Sequence, residues 1–139
     1  MDRLLQVLSI SFLIGLVSSA DVHVRGQIHC SNRIGSQRMT VRLMERDFSG
    51  YFLLGLLDPD DELDRTEVLY GEHFTLDGNA WEIGDIEPYL AVTHSCNDGV
   101  EKTVAIPLEM YRTQNYYHHN YMLGDFLLTP DLELIDYWL

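Results

Sequence analysis

The chain has 139 residues and carries 22 Asp and Glu against nine Lys and Arg, a formal net charge of −13. So acidic a surface excludes nucleic acid as a natural partner and opposes attraction to anionic lipid, because both carry the same sign. It leaves cationic or divalent-ion partners and high solubility.

In chain order, Met1–Ala20 reads as a secretory leader. Arg3 lies in a short polar start, Leu4–Val17 is apolar, and Ser18, Ser19 and Ala20 supply small residues for cleavage before Asp21. The apolar run is broken by Gln6, Ser9 and Ser11 and is short for a membrane span, so no membrane span is expected. Residues 21–139 are then one small domain, secreted and extracellular. No Asn-x-Ser/Thr acceptor for N-glycosylation occurs.

The first strand is expected around Val22–Cys30, with Val22, Val24, Ile28 and Cys30 on one face. On its other face lie His23, Arg25, Gln27 and His29. A polar turn over Ser31–Gln37 leads to Met39–Leu43, with Met39, Val41 and Leu43 inward. Val68–Leu76 and Ala80–Ile83 read as a third and a fourth strand, joined by Asp77-Gly78 as a two-residue hairpin turn. Pro88–Cys96 is a fifth, with Leu90, Val92 and Cys96 on one face. Asn97-Asp98-Gly99 turns the chain into a sixth, Lys102–Leu108, where Pro107 points to an edge or terminal position. Tyr121–Leu128 and Leu132–Leu139 supply one or two more. Seven to eight short strands with frequent turns predict an all-β, antiparallel sandwich. The inward parity of Cys30 and Cys96 predicts a disulfide pinning its two layers, formed in an oxidising compartment.

The segments VRGQIHC (Val24–Cys30), MTVRLMERD (Met39–Asp47), LLDPDDELD (Leu56–Asp64), FTLDGNAWEI (Phe74–Ile83), IEPYLAVTHSCNDG (Ile86–Gly99) and VAIPLEMY (Val104–Tyr111) together resemble the nematode transthyretin-like family. That resemblance implies a prealbumin-type β-sandwich and an extracellular location, without handing over a mechanism. The chain departs from the family pattern in the apolar segment Phe48–Leu57 and in the tyrosine-rich connection Tyr111–Tyr121.

An enzyme branch of the same fold, the 5-hydroxyisourate hydrolases, resembles the chain around Asp77-Gly78. Its site needs an arginine after that glycine and a Tyr-Arg-Gly-Ser type terminus. Here Asn79 follows Gly78 and the chain ends Asp136-Tyr137-Trp138-Leu139, leaving His23 facing solvent without partners. No nucleophile motif, phosphate-binding loop or zinc-protease helix occurs, so neither a catalytic residue nor a cofactor is expected. His118 and His119 converge only on a loop, and no metal site is expected. His94 shares the inward parity of Val92 and reads as a hydrogen-bonded histidine at the core edge. The acidic residues Asp58, Asp60, Asp61, Glu62 and Asp64 offer oxygen ligands but lack the glycine and terminal glutamate of an EF-hand loop; they read as a solvated acidic loop.

Two segments are candidates for contact with a partner. Tyr51, Phe52, Leu53 and Leu54 open an apolar run to Leu57 that either covers a sheet edge or forms an exposed patch. Tyr116, Tyr117 and His118 lie in the connection Tyr111–Tyr121, where tyrosines either pack under the sandwich or serve recognition, with histidine adding pH sensitivity. The expected activity is non-catalytic binding of an extracellular or cell-surface protein or an exposed lipid, with an oligomer possible. The alternative is a carrier of a small hydrophobic ligand, by analogy with vertebrate transthyretin; a hydroxyisourate-type hydrolase ranks last.

Overall fold

The computed structural model describes residues 17–46, 60–83, 86–113 and 119–130. These form seven strands: β1 (Val17–Cys30), β2 (Arg38–Glu45), β3 (Asp61–Leu69), β4 (His73–Ile83), β5 (Pro88–His94), β6 (Lys102–Pro107) and β7 (His119–Leu128). A 3-10 turn, Glu109–Tyr111, follows β6. One sheet has the order β4-β1-β7 and the other β3-β2-β5-β6. All pairings are antiparallel except β1 with β7, which run parallel. The sandwich is therefore not uniformly antiparallel: β7 is reached by a crossover from the other sheet rather than by a hairpin.

Alternation builds the core. Val22, Val24 and Ile28 of β1 are fully buried, as are Val41 and Leu43 of β2 and Leu90 and Val92 of β5. Phe74 and Leu76 of β4, Val104 and Ile106 of β6, and Tyr121 and Leu128 of β7 complete it. Cys30 and Cys96 form the expected disulfide, Cα atoms 5.8 Å apart, tying the end of β1 to the segment after β5 in the opposite sheet. The turn after it is also as read, with Asn97 and Gly99 both at positive φ and the Asp98 carboxylate accepting the Val100 N–H at 2.9 Å.

The third and fourth strands differ from expectation. Asp77-Gly78 is not a turn; it lies in the middle of β4, where Asp77 pairs with His23 and Gly78 with Val22. The reversal comes earlier, at Gly71, whose φ of 80° suits a residue without Cβ. Val68–Leu76 thus straddles a hairpin, and the acidic run Asp61–Asp64 is strand rather than loop. Gly78 is required for space, not for φ: a Cβ there would lie 2.5 Å from the Leu63 Cβ. Beside it the Asp64 carboxylate accepts the Asp77 N–H at 3.0 Å, so β3 caps the outer edge of β4 across the sheet boundary. Strand β1 starts at Val17, ahead of the expected cleavage point before Asp21. The expected strand Leu132–Leu139 lies outside the described residues.

His94 is 3 % exposed and its Nδ1 accepts the Cys96 N–H at 3.0 Å, the core-edge role expected of it. Its Nε2 is buried with no partner among the described residues. Burial, helped by the nearby Lys102 ammonium, holds the imidazole below its ordinary value of 6.5. The unfolded chain therefore binds this proton more readily than the folded one. Stability from this group is complete above the ordinary value and is lost as pH falls from there toward the lower folded value. Urea midpoints taken from neutral pH down to about 5 should fall more steeply for wild type than for His94→Gln. Parallel slopes would refute this.

Candidate binding cleft

The outer face of β4-β1-β7 carries several polar pairs beside the exposed apolar side chains Trp81, Met122 and Leu127. His23 pairs with Asp77 directly across the strand boundary, so it is not partnerless as the sequence implied. His29 Nε2 contacts Asp125 at 3.0 Å, and Asn79 Nδ2 donates to Asp21 at 2.6 Å and to Ser19 at 3.1 Å. Asn79 thus occupies the position after Gly78 as a strand residue bonded to its own sheet. Among the described residues no three His, Cys, Asp or Glu side chains gather to hold a metal ion. The acidic run is spread among protein partners: Asp60 accepts the Tyr89 hydroxyl at 2.6 Å, Glu62 pairs with Arg65, and Asp64 serves backbone N–H groups. The Arg65 hydrogen bond holds the Glu62 carboxyl below its ordinary value.

A cleft of about 380 Å³ opens at the end of the sandwich opposite the disulfide. Its parts come from four separate stretches of sequence. Arg46 follows β2, Glu87–Tyr89 span the entry into β5, Pro107–Glu109 lead from the end of β6 into the 3-10 turn, and Arg112 and His119 bracket the crossover into β7. Backbone bonds hold these stretches together past the strand ends: Arg46 N–H to Glu87 O at 3.3 Å, Leu108 N–H to Pro88 O at 3.3 Å, and Thr113 N–H to Asn120 O at 2.9 Å. The floor is apolar, with Leu108 fully buried and Ile86 9 % exposed. Arg46 faces Glu87 at 3.6 Å, and Tyr89 leans on Asp60. Burial first, and that hydrogen bond second, push the Tyr89 phenol well up. Burial also raises Tyr121, whose hydroxyl has no partner among the described residues.

The structure brings the borders of both sequence-predicted contact segments to this cleft. Arg46 and Asp60 flank 47–59, and Thr113 and His119 flank 114–118. The named candidates Tyr51, Phe52, Leu53, Leu54, Tyr116, Tyr117 and His118 themselves lie outside the described residues. Of the neighbouring tyrosines, Tyr121 is buried in the core and Tyr111 packs half-buried against it, so these two serve packing. Sequence reasoning missed Arg46, Tyr89, Leu108 and Arg112, since no local motif joins residues this far apart. A second pocket, of about 250 Å³, opens on the outer face of the other sheet between Arg38, Thr40, Glu67, Thr93 and Glu101.

The model of the transthyretin-like family matches residues 25–114, well over half of the chain. The chain belongs to the transthyretin-like family. Its relatives in Caenorhabditis elegans include transthyretin-like protein 2, 37 % identical over 95 residues, and transthyretin-like protein 1, 35 % identical over 102 residues. Those alignments take in 63 % and 67 % of this chain and 62 % and 63 % of the relatives, so the chain spans less than two thirds of their length. Transthyretin-like protein 16 is 35 % identical over 86 residues, 62 % of this chain and 58 % of its own. A 9R-lipoxygenase from Cyanothece PCC8801 overlaps with a TM-score of 0.39 at 13 % identity, over 89 % of this chain and 21 % of that one, which bears on neither fold nor function. The disulfide that this transthyretin-like domain contains is of the kind that persists in oxidising compartments. No helix among the described residues is long and apolar enough to cross a membrane.

Proposed function

We propose that this transthyretin-like chain is a secreted, non-catalytic binding protein. Its leader, residues 1–20, is removed, and it recognises a cell-surface protein or an exposed lipid. The observation that supports this reading is that the described residues bordering the two candidate segments, Arg46 and Asp60 for one and Thr113 and His119 for the other, lie at one end of the sandwich. Loops at the end of a disulfide-tied sandwich are held by a rigid scaffold, the common placement of recognition surfaces. Tyrosine-rich loops offer large contact area at small entropic cost.

The carrier reading ranks second because neither described pocket is an enclosed apolar cavity. The test is saturable binding of the mature chain to intact cells. Phe52→Asp and Tyr117→Ala should each weaken it roughly tenfold, the loss expected from removing one aromatic anchor. Unchanged binding by both variants would remove the proposed surface.

A further inference from the structure

We infer that the end cleft is a binding site for a small amphipathic carboxylate. Its apolar floor is made by Ile86, Pro88 and Leu108, and its volume of about 380 Å³ falls in the range of small-ligand sites. Above that floor stands Arg112, which is exposed and whose guanidinium makes no ion pair or hydrogen bond among the described residues. In a chain of net charge −13, the cleft lining sets Arg46 and Arg112 beside Glu87 and Glu109, with Asp60 behind Tyr89, so it is far less acidic than the chain as a whole. Glu87 already faces Arg46 at 3.6 Å, which leaves Arg112 as the group offering donors outward.

A guanidinium matches a carboxylate with two parallel N–H···O bonds, and burial of the ligand's apolar body supplies the remaining attraction. The two rim glutamates favour a singly charged carboxylate over a doubly charged phosphate ester. The ligand therefore places its apolar body over Pro88 and Leu108 and its carboxylate at Arg112. This assignment rests on the reading of this end as the binding end, and it adds the chemistry of the ligand.

The test is isothermal titration of the mature protein with octanoate, octanol, octylamine and octyl phosphate, with amide shift mapping of the octanoate complex. Octanoate should bind best, perturb Ile86, Tyr89, Leu108 and Arg112, and bind roughly tenfold more weakly to Arg112→Gln, the loss of one charged hydrogen-bonding partner. Arg112 is exposed, so its replacement leaves the core intact. Octanol binding as tightly, octyl phosphate binding more tightly, shifts confined to other residues, or an unchanged Arg112→Gln would each overturn the assignment. Loss of octanoate binding with cell binding intact rejects this ligand and not the binding end.

Discussion

Gly78→Ala is expected to destabilise the fold by about 2–3 kcal/mol, the upper part of the range for overpacking a well-packed site. The added methyl would sit 2.5 Å from the Leu63 Cβ and 3.2 Å from its Cδ1, and neither strand has room to withdraw. Gly78 pairs in register with Val22 on one side, while Asp64 accepts the neighbouring Asp77 N–H on the other. Denaturant melts of Gly78→Ala, Leu63→Gly, which removes the Cβ that the new methyl would meet, and the double variant check this directly. The double variant should recover most of the loss caused by Gly78→Ala, a coupling that two independent sites would not show. Gly78→Asn also separates two roles. A positive-φ turn would accept asparagine readily, whereas a strand position under Leu63 should reject it at least as strongly as alanine. Stability unchanged by either substitution would return Asp77-Gly78 to the surface turn that its dipeptide suggests.

Removal of the Cys30–Cys96 bridge is the larger perturbation. The two positions are 66 residues apart, and closing a loop of that size stabilises by about 4 kcal/mol in the chain-entropy treatment. The pair Cys30→Ala with Cys96→Ala, or reduction of the wild type, should therefore lower the urea midpoint far more than any surface substitution. The loss should also concentrate locally. Asn97 N–H bonds to Asn32 O at 2.9 Å, and Asn32 Nδ2 returns to Asn97 O at 3.1 Å, so both flanking loops lean on the bridge. Amide exchange in 31–37 and 95–101 should accelerate first. A reduced protein with the oxidised midpoint and unchanged protection there would show that the hydrophobic core alone sustains the sandwich.

Much of the architecture was legible locally. The alternation of Val22, Val24, Ile28 and Cys30 named the buried face of β1, and Met39, Val41 and Leu43 did the same for β2. Inward parity at Cys30 and Cys96 anticipated a bond between layers, and Asn97-Asp98-Gly99 announced its turn. Asp77-Gly78 misled because a dipeptide reports what the backbone permits. Which use is made of it depends on Leu63, fifteen positions away, packing where a side chain would otherwise stand. The Val68–Leu76 run misled likewise, since apolar residues continue on both sides of the reversal at Gly71.

The cleft was the least legible part. Arg46, Tyr89, Leu108 and Arg112 belong to no shared motif, and only the β2-β5-β6 register and the crossover into β7 gather them at one end. Pairing of His23 with Asp77 was hidden in the same way, being a consequence of how β1 and β4 align.

By itself, the order of residues determined the strand faces, the cysteine pair and the family, because each of these depends on period-two alternation or on short contiguous segments. Only the tertiary structure decided the strand order, the parallel joining of β1 to β7, the true hairpin at Gly71 and the assembly of the end cleft. Those depend on contacts between residues far apart in the chain, whose register follows from packing that no local pattern encodes.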